Sequence, residues 1–222
     1  MKISVEIFPL DNLRIYDSGN WGVEVGDIVI VNTDFGLESA EVKKINVDAK
    51  TEECLKITRK VTSIDIETIE KNKQKSKEAI DVCKNLVREC GLFMKIVGVH
   101  FSFDGGKITF LFIAEKRVDF RDLVRMLSKR FQKSIRLQQV GSRDEARGIG
   151  GFGVCGRELC CAKFLGSLKS VTTEDAKVQQ IGQRGSDRIS GLCGRLKCCL
   201  GFEAEQYREN LKNASKLKNS KK

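Results

Sequence analysis

The segment Gly153-Val154-Cys155-Gly156-Arg157-Glu158-Leu159-Cys160-Cys161-Ala162-Lys163-Phe164 is written a second time 38 residues later, as Gly191-Leu192-Cys193-Gly194-Arg195-Leu196-Lys197-Cys198-Cys199-Leu200-Gly201-Phe202. The shared frame is G-x-C-G-R-x-x-C-C-x-x-F, with seven identities in register. Chance does not duplicate such a frame. Two cysteines separated by four residues let a short turn bring first and last ligands together, and glycine after the first permits positive φ. Arg157 and Arg195 place a fixed positive charge beside each set of thiols, which favours thiolate and offsets an anionic centre. Cys155, Cys160, Cys161, Cys193, Cys198 and Cys199 are therefore the candidate metal ligands.

Adjacent Cα atoms are only about 3.8 Å apart and their side chains diverge, so Cys160 and Cys161 are not expected to serve one centre together. Six thiols exceed one four-ligand site and fall short of two, so two centres need ligands from elsewhere. Structural zinc favours knuckles with two intervening residues, whereas a spacing of four is usual for iron–sulfur clusters. Iron–sulfur is the preferred occupant. Zinc, a redox dithiol and buried structural cysteines remain alternatives.

The compartment bears on the same choice. The amino terminus reaches Glu6 too early for a secretory signal, and the longest apolar run, Phe110–Ala114, is strand-sized. These features predict a cytoplasmic protein, in which nine cysteines are thiols or ligands rather than a disulfide frame. Cys54, Cys83 and Cys90 lie apart from the repeat, within apolar patterns.

Charge is unevenly spread. Residues 1–62 carry −3 and residues 63–115 balance, whereas +6 falls on 116–140, +4 on 141–201 and +3 on 202–222, giving the net +10. An excess confined to one half points to an anionic partner. On the helix expected after Asp119, Arg121, Arg125 and Lys129 recur every four residues, either as a solvated face or as a stripe for phosphate or acid groups.

The pattern predicts an α+β chain. Residues 1–50 read as short strands of a barrel-like part, with a turn at Asn32–Gly36. Residues 51–140 read as βαββαβ: a strand near 54–61 and a helix over 67–90 with Ile80, Cys83, Val87 and Cys90 inward and Gly91 as cap. An alternating strand Val97–Phe103, a turn at Asp104–Lys107 and a second strand 108–113 follow. A helix to Phe131 with Phe120, Val124, Leu127 and Phe131 inward, then a strand 135–140, complete it. His100, the single histidine, falls on the polar side of its strand and reads as exposed. Residues 141–203 form an irregular cysteine-rich segment, with Gly148–Gly153 as a hinge, and 204–222 a polar basic tail. No nucleophile–base pair and no phosphate-binding glycine loop is present, so the chain reads as non-enzymatic.

At the doubled Cys-Gly-Arg-x-x-Cys-Cys segments, at Ile189–Leu200 and at Asp144-Glu145-Ala146, the chain resembles the RicT (YaaT) family of bacteria, once labelled stage 0 sporulation proteins. The resemblance covers most of the chain. It implies a regulatory subunit that joins two small helical proteins, RicA and RicF, in a complex holding two [4Fe–4S] clusters. That complex acts with the membrane-tethered ribonuclease RNase Y in mRNA maturation and turnover, and influences sporulation, competence and biofilm formation. By position, the same six cysteines are the ligands it implies. The other class of function open to the residues is a zinc-dependent nucleic-acid-binding module.

Overall fold

The computed structural model describes residues 1–8, 13–34, 36–47, 54–165, 170–183 and 185–219, with side chains to residue 213. Phe35 of the expected Asn32–Gly36 turn, Arg184 between the two cysteine segments and the last three residues of the tail lie outside these. The fold is α+β, in two units, Met1–Val140 and Gly141–Lys222.

The first unit begins with β1 (Lys2–Glu6), β2 (Arg14–Asp17), β3 (Ile28–Thr33), β4 (Gly36–Ile45) and β5 (Ile57–Lys60). They form one antiparallel sheet in the order β2-β1-β4-β3-β5. Alternate residues point inward: Ile3 and Val5, Val29 and Val31, Ala40 and Val42 are buried in a common core. Bulges at Ser4/Val5 and Ile30/Val31 curl the sheet. Its two edges meet where the Asp17 amide donates to the Leu55 carbonyl at 2.9 Å. The result is the barrel-like part that the short-strand pattern predicts.

Next come α1 (Ser63–Glu89), β6 (Lys95–Phe101), β7 (Lys107–Ile113), α2 (Arg121–Phe131) and β8 (Ser134–Gln139). The element order β5-α1-β6-β7-α2-β8 is the one the periodicity predicts, but β5 pairs with β3 of the half-barrel. The second sheet therefore has three strands, ordered β6-β7-β8. The reason is occupancy: β8 pairs in parallel with β7 along its length, from Lys107↔Ser134 to Phe112↔Gln139, which leaves β7 no edge for β5.

β7 is covered on both faces. Ile108, Phe110 and Phe112 pack against Ala79, Cys83 and Val87 of α1 and Leu123 and Leu127 of α2, while Leu111 joins the half-barrel core. A strand buried on two sides reads as a continuous apolar run, which is what Phe110–Ile113 is. The inner face of α2 centres on fully buried Leu123 and Leu127, with Phe120 and Phe131 packed on the same core; Leu123 is the inward residue that the sequence pattern omits. In β6, a bulge between Ile96 and Gly98 breaks the alternation and sends Val97 to the half-barrel core.

α1 starts at Ser63, four residues before the periodicity, because capping decides the start. Asp65 accepts the Thr62 amide at 2.8 Å and takes both Arg59 Nη1 and Nη2. These bonds, the Arg59 guanidinium first and the Thr62 amide next, hold the Asp65 carboxyl well below the usual aspartate range. At the other end Gly91 adopts φ 62° as the predicted cap.

His100 departs from expectation. It lies on β6 facing the half-barrel, stacks on Phe8 at 4.7 Å and meets the buried Glu38 carboxylate with Nε2 at 2.9 Å. Its side chain is 19% exposed and that of Glu38 8%. An interior carboxylate needs a partner, and the polar face of β6 supplies it.

The second unit contains α3 (Ser142–Ile149), α4 (Cys160–Lys163), α5 (Thr173–Val178), α6 (Ser186–Ile189) and α7 (Cys198–Asn219). α7 runs through position 203, so the expected tail continues the helix that opens at the second cysteine pair. Among the described residues no helix is long and apolar enough to cross a membrane.

Two outcomes follow. Phe110→Ala, at a site with no solvent exposure, lowers unfolding free energy by about 3–5 kcal/mol in urea titrations. The stability that Asp65 contributes is present above the ordinary aspartate pKa of about 3.9 and is lost as pH falls below it. Asp65→Asn flattens that acid limb in pH-dependent unfolding.

Candidate metal centre

The duplication in sequence is a duplication in structure. In the first arm the Gly153 amide donates to the Arg157 carbonyl at 2.8 Å, Gly156 to Gly153 at 2.9 Å and Leu159 to Gly151 at 3.0 Å. In the second, Gly191 donates to Arg195 at 2.8 Å, Gly194 to Gly191 at 3.0 Å and Lys197 to Ile189 at 2.9 Å. Each arm is a tight hairpin, closed by a bridge between Phe152 and Glu158 or between Ser190 and Leu196. Gly156 and Gly194 turn it with φ of 76° and 74°, the left-handed conformation that glycine adopts without strain. The first cysteine sits in the turn, and the chain then enters a helix whose first two residues are the cysteine pair: α4 in the first arm, α7 in the second.

All six cysteines line one cleft of about 190 Å³. Its other walls include Ala146, Val154, Leu159, Leu192 and Leu196. The two arms thus face each other, and the frames meet again at their ends, where the Phe164 and Phe202 rings are 5.3 Å apart at 77°. Both members of each adjacent pair border the cleft, contrary to the expected divergence. Successive side chains on a helix stand only about 100° apart, so a cleft across the helix start touches both. Cys155 is exposed, Cys161 is buried and the other four are intermediate.

Electrostatics inside the cleft differ from those expected of a reactive thiol. Burial pushes the Cys198 thiol up to about 11; Arg143 opposes this, and the sulfurs of Cys161, Cys160 and Cys193 add to it. Thiols from the opposite arm act on Cys198, as convergence requires. Cys199 is also raised, by burial first and then by Glu203 and Cys160, with Lys197 opposing. Neither suits a low-pKa nucleophile. Among the described residues no three His, Cys, Asp or Glu side chains are grouped closely enough to hold a single metal ion.

Arg157 and Arg195 stand exposed, and the guanidinium of Arg195 lies against Gly141. The basic group acting most strongly on Cys198 is Arg143 of α3. Its Nη2 donates to the Leu196 carbonyl at 2.8 Å, and its Nε is buried without a hydrogen-bond partner. Arg143 ties the helix before the first arm to the second arm, 53 residues away. No local pattern marks it among 40 basic residues.

Behind the arms α5 packs on α7. Arg208 Nη2 bonds Asp175 Oδ1 at 2.6 Å, Gln179 bonds the Leu200 carbonyl at 2.7 Å, and Ala176, Leu200 and Ala204 are buried. On the first unit, Arg121, Arg125 and Lys129 are exposed on α2. Arg121 pairs with Asp119 at 2.6 Å and Arg125 with Asp122 at 3.3 Å. Such exposed pairs are weak.

Arg143→Ala removes a charged donor from a partly buried carbonyl, a loss of roughly 1–3 kcal/mol. Amide exchange then accelerates across Ile189–Lys197, while α5 amides keep their protection.

Residues 55–140 match the family model described as the PSP1 C-terminal conserved region, and residues 170–214 the one described as the third domain of PSP1-like proteins. The stage 0 sporulation protein YaaT of Bacillus subtilis (strain 168) is 40% identical over 209 residues, which cover 92% of this chain and 76% of the relative. An uncharacterized protein of Schizosaccharomyces pombe is 32% identical over 80 residues, 36% of this chain and 11% of its own length. No solved structure matches. Matched along nearly its whole length to one relative, and in two blocks to the PSP1 models, the chain belongs to the YaaT family of PSP1-domain proteins.

Proposed function

We propose that the chain is a non-enzymatic adaptor whose paired cysteine arms carry a [4Fe–4S] cluster. The observation that carries this reading is the meeting of six thiols from both arms in one cleft. A cluster has an iron at each corner, so its thiolate ligands stand farther apart than those around one ion. That suits thiols drawn from two arms across one cleft. The walls add apolar side chains, which protect an inorganic core from water. When bound, such a cluster supplies a redox- and oxygen-sensitive centre.

In this reading Cys155 and Cys193 present thiolate from the hairpin turns, and Cys160, Cys161, Cys198 and Cys199 from the helix starts. Arg143 anchors the second arm and offsets negative charge. Six thiols exceed one cluster's need, so the surplus suits a second cluster whose remaining ligands come from partner chains. RicA- and RicF-like small helical proteins are the proposed partners. The assembly works in the cytoplasm with RNase Y in mRNA maturation and turnover, and through it on sporulation, competence and biofilm formation. The kinship with a sporulation protein supports the developmental part. The zinc-dependent nucleic-acid module has less support, because aromatic residues that could stack bases are sparse after residue 131: Phe152, Phe164, Phe202 and Tyr207.

Isolated without oxygen, the full chain co-expressed with its partners is brown, with broad visible absorbance. Cys193→Ser and Cys198→Ser each reduce that absorbance by more than half. A colourless protein holding stoichiometric zinc overturns the iron–sulfur assignment.

A further inference from the structure

A second site lies in the first unit, where the sequence of α1 breaks its own pattern. Ala79, Ile80, Cys83, Leu86, Val87 and Cys90 form the inner stripe that packs on the three-stranded sheet. Continued toward the N-terminus at the same spacing of three and four, that stripe carries Ile69, Asn72, Lys73 and Ser76. A helix face that turns polar where it should bury apolar surface marks a place where packing has yielded to another demand. Here the helix covers a cavity of about 290 Å³, bordered by Phe8, Ser39, Asn72, Lys73, Ser76, His100 and Phe103 among others.

The lining has a definite chemistry. Phe8 and His100 present stacked rings, and Phe103 adds a third. β6, whose residues Val99–Phe101 border the cavity, is an edge strand of its sheet, so its backbone offers donors and acceptors beside those rings. His100 is held in place by buried Glu38. Asn72 is pinned by donating to the Ser102 carbonyl at 3.2 Å, which fixes α1 over the opening. Lys73 supplies a cation at the rim, where it is exposed. Aromatic faces, strand-edge hydrogen bonds and one rim ammonium together recognise a planar heterocycle bearing an anionic group.

We propose that this cavity binds a small planar heterocyclic anion of the nucleoside monophosphate class, with the ring among Phe8, His100 and Phe103 and the phosphate at Lys73. The site is independent of the cysteine arms and stands whether or not they hold a cluster.

The test is calorimetric titration of the full chain with each nucleoside monophosphate, the parent nucleosides, inorganic phosphate and an aromatic carboxylate such as indole carboxylate. Saturable binding of a monophosphate is expected, about tenfold weaker for its nucleoside and in Lys73→Met, from loss of one charge-assisted contact. Ser76→Phe, which fills the cavity, abolishes it; circular dichroism confirms that the variant is folded. Equal affinity for the aromatic carboxylate overturns the assignment to nucleoside monophosphates. Absence of saturable binding by any of these ligands overturns the proposal. Phosphate alone binding as tightly as the nucleotide, or affinity unchanged in both variants, also overturns it.

Discussion

Thiols from segments 38 residues apart can share a cleft only if each segment is closed locally and the two are held against each other. Local closure comes from the paired backbone bonds of each hairpin and from Gly156 and Gly194 in the left-handed region. Mutual clamping comes from different groups: Arg143 on the Leu196 carbonyl, Phe164 against Phe202, and α5 bracing α7 through Asp175–Arg208. The first kind of constraint repeats with the sequence. The second is asymmetric, because it joins unlike elements, and it makes two copies of a loop into one site.

That difference explains how much could be read from the sequence. The duplicated frame announces a short turn in each arm, since everything such a turn needs lies within a dozen residues, but not the bridge that closes each turn into a hairpin. Arg143 was invisible because its partner is remote and its neighbours resemble any charged helix start. The flanking arginines of the frame drew attention by repetition, yet Arg195 lies on Gly141 and the charge acting on Cys198 comes from α3. The order of strands and helices through residue 140 was likewise legible from period and turns. The partner of β5 was not, because pairing depends on which edges other strands leave open. His100 falls on the polar side of its strand, as its pattern predicts, but its burial depends on Glu38 approaching from another sheet.

The two units answer different physical demands. In the first, β7 is the shared wall of two cores, and the surrounding layers leave few polar groups inside; Glu38 and Asp65 are buried with named partners. The second has four short helices before the long α7, short hairpins and a thin core around Ala176, Leu200 and Ala204 among the described residues. Such a unit gains from an inorganic centre, since metal binding free energy adds directly to folding. Exposed Val154 and Leu192, 67% and 63% accessible, occupy the same place in each frame and flank the sulfurs, so the cleft is rimmed by apolar surface of the kind that interfaces cover.

The central claim is that these arms hold iron and sulfide rather than a lone ion. The most direct measurement is the iron, acid-labile sulfide and zinc content of the anaerobically isolated full chain with its partners, with Mössbauer spectra of the iron. Equal iron and sulfide, close to four of each per cluster, with spectra of a cubane centre, is the result predicted. Sulfide-free protein with one zinc per chain contradicts it.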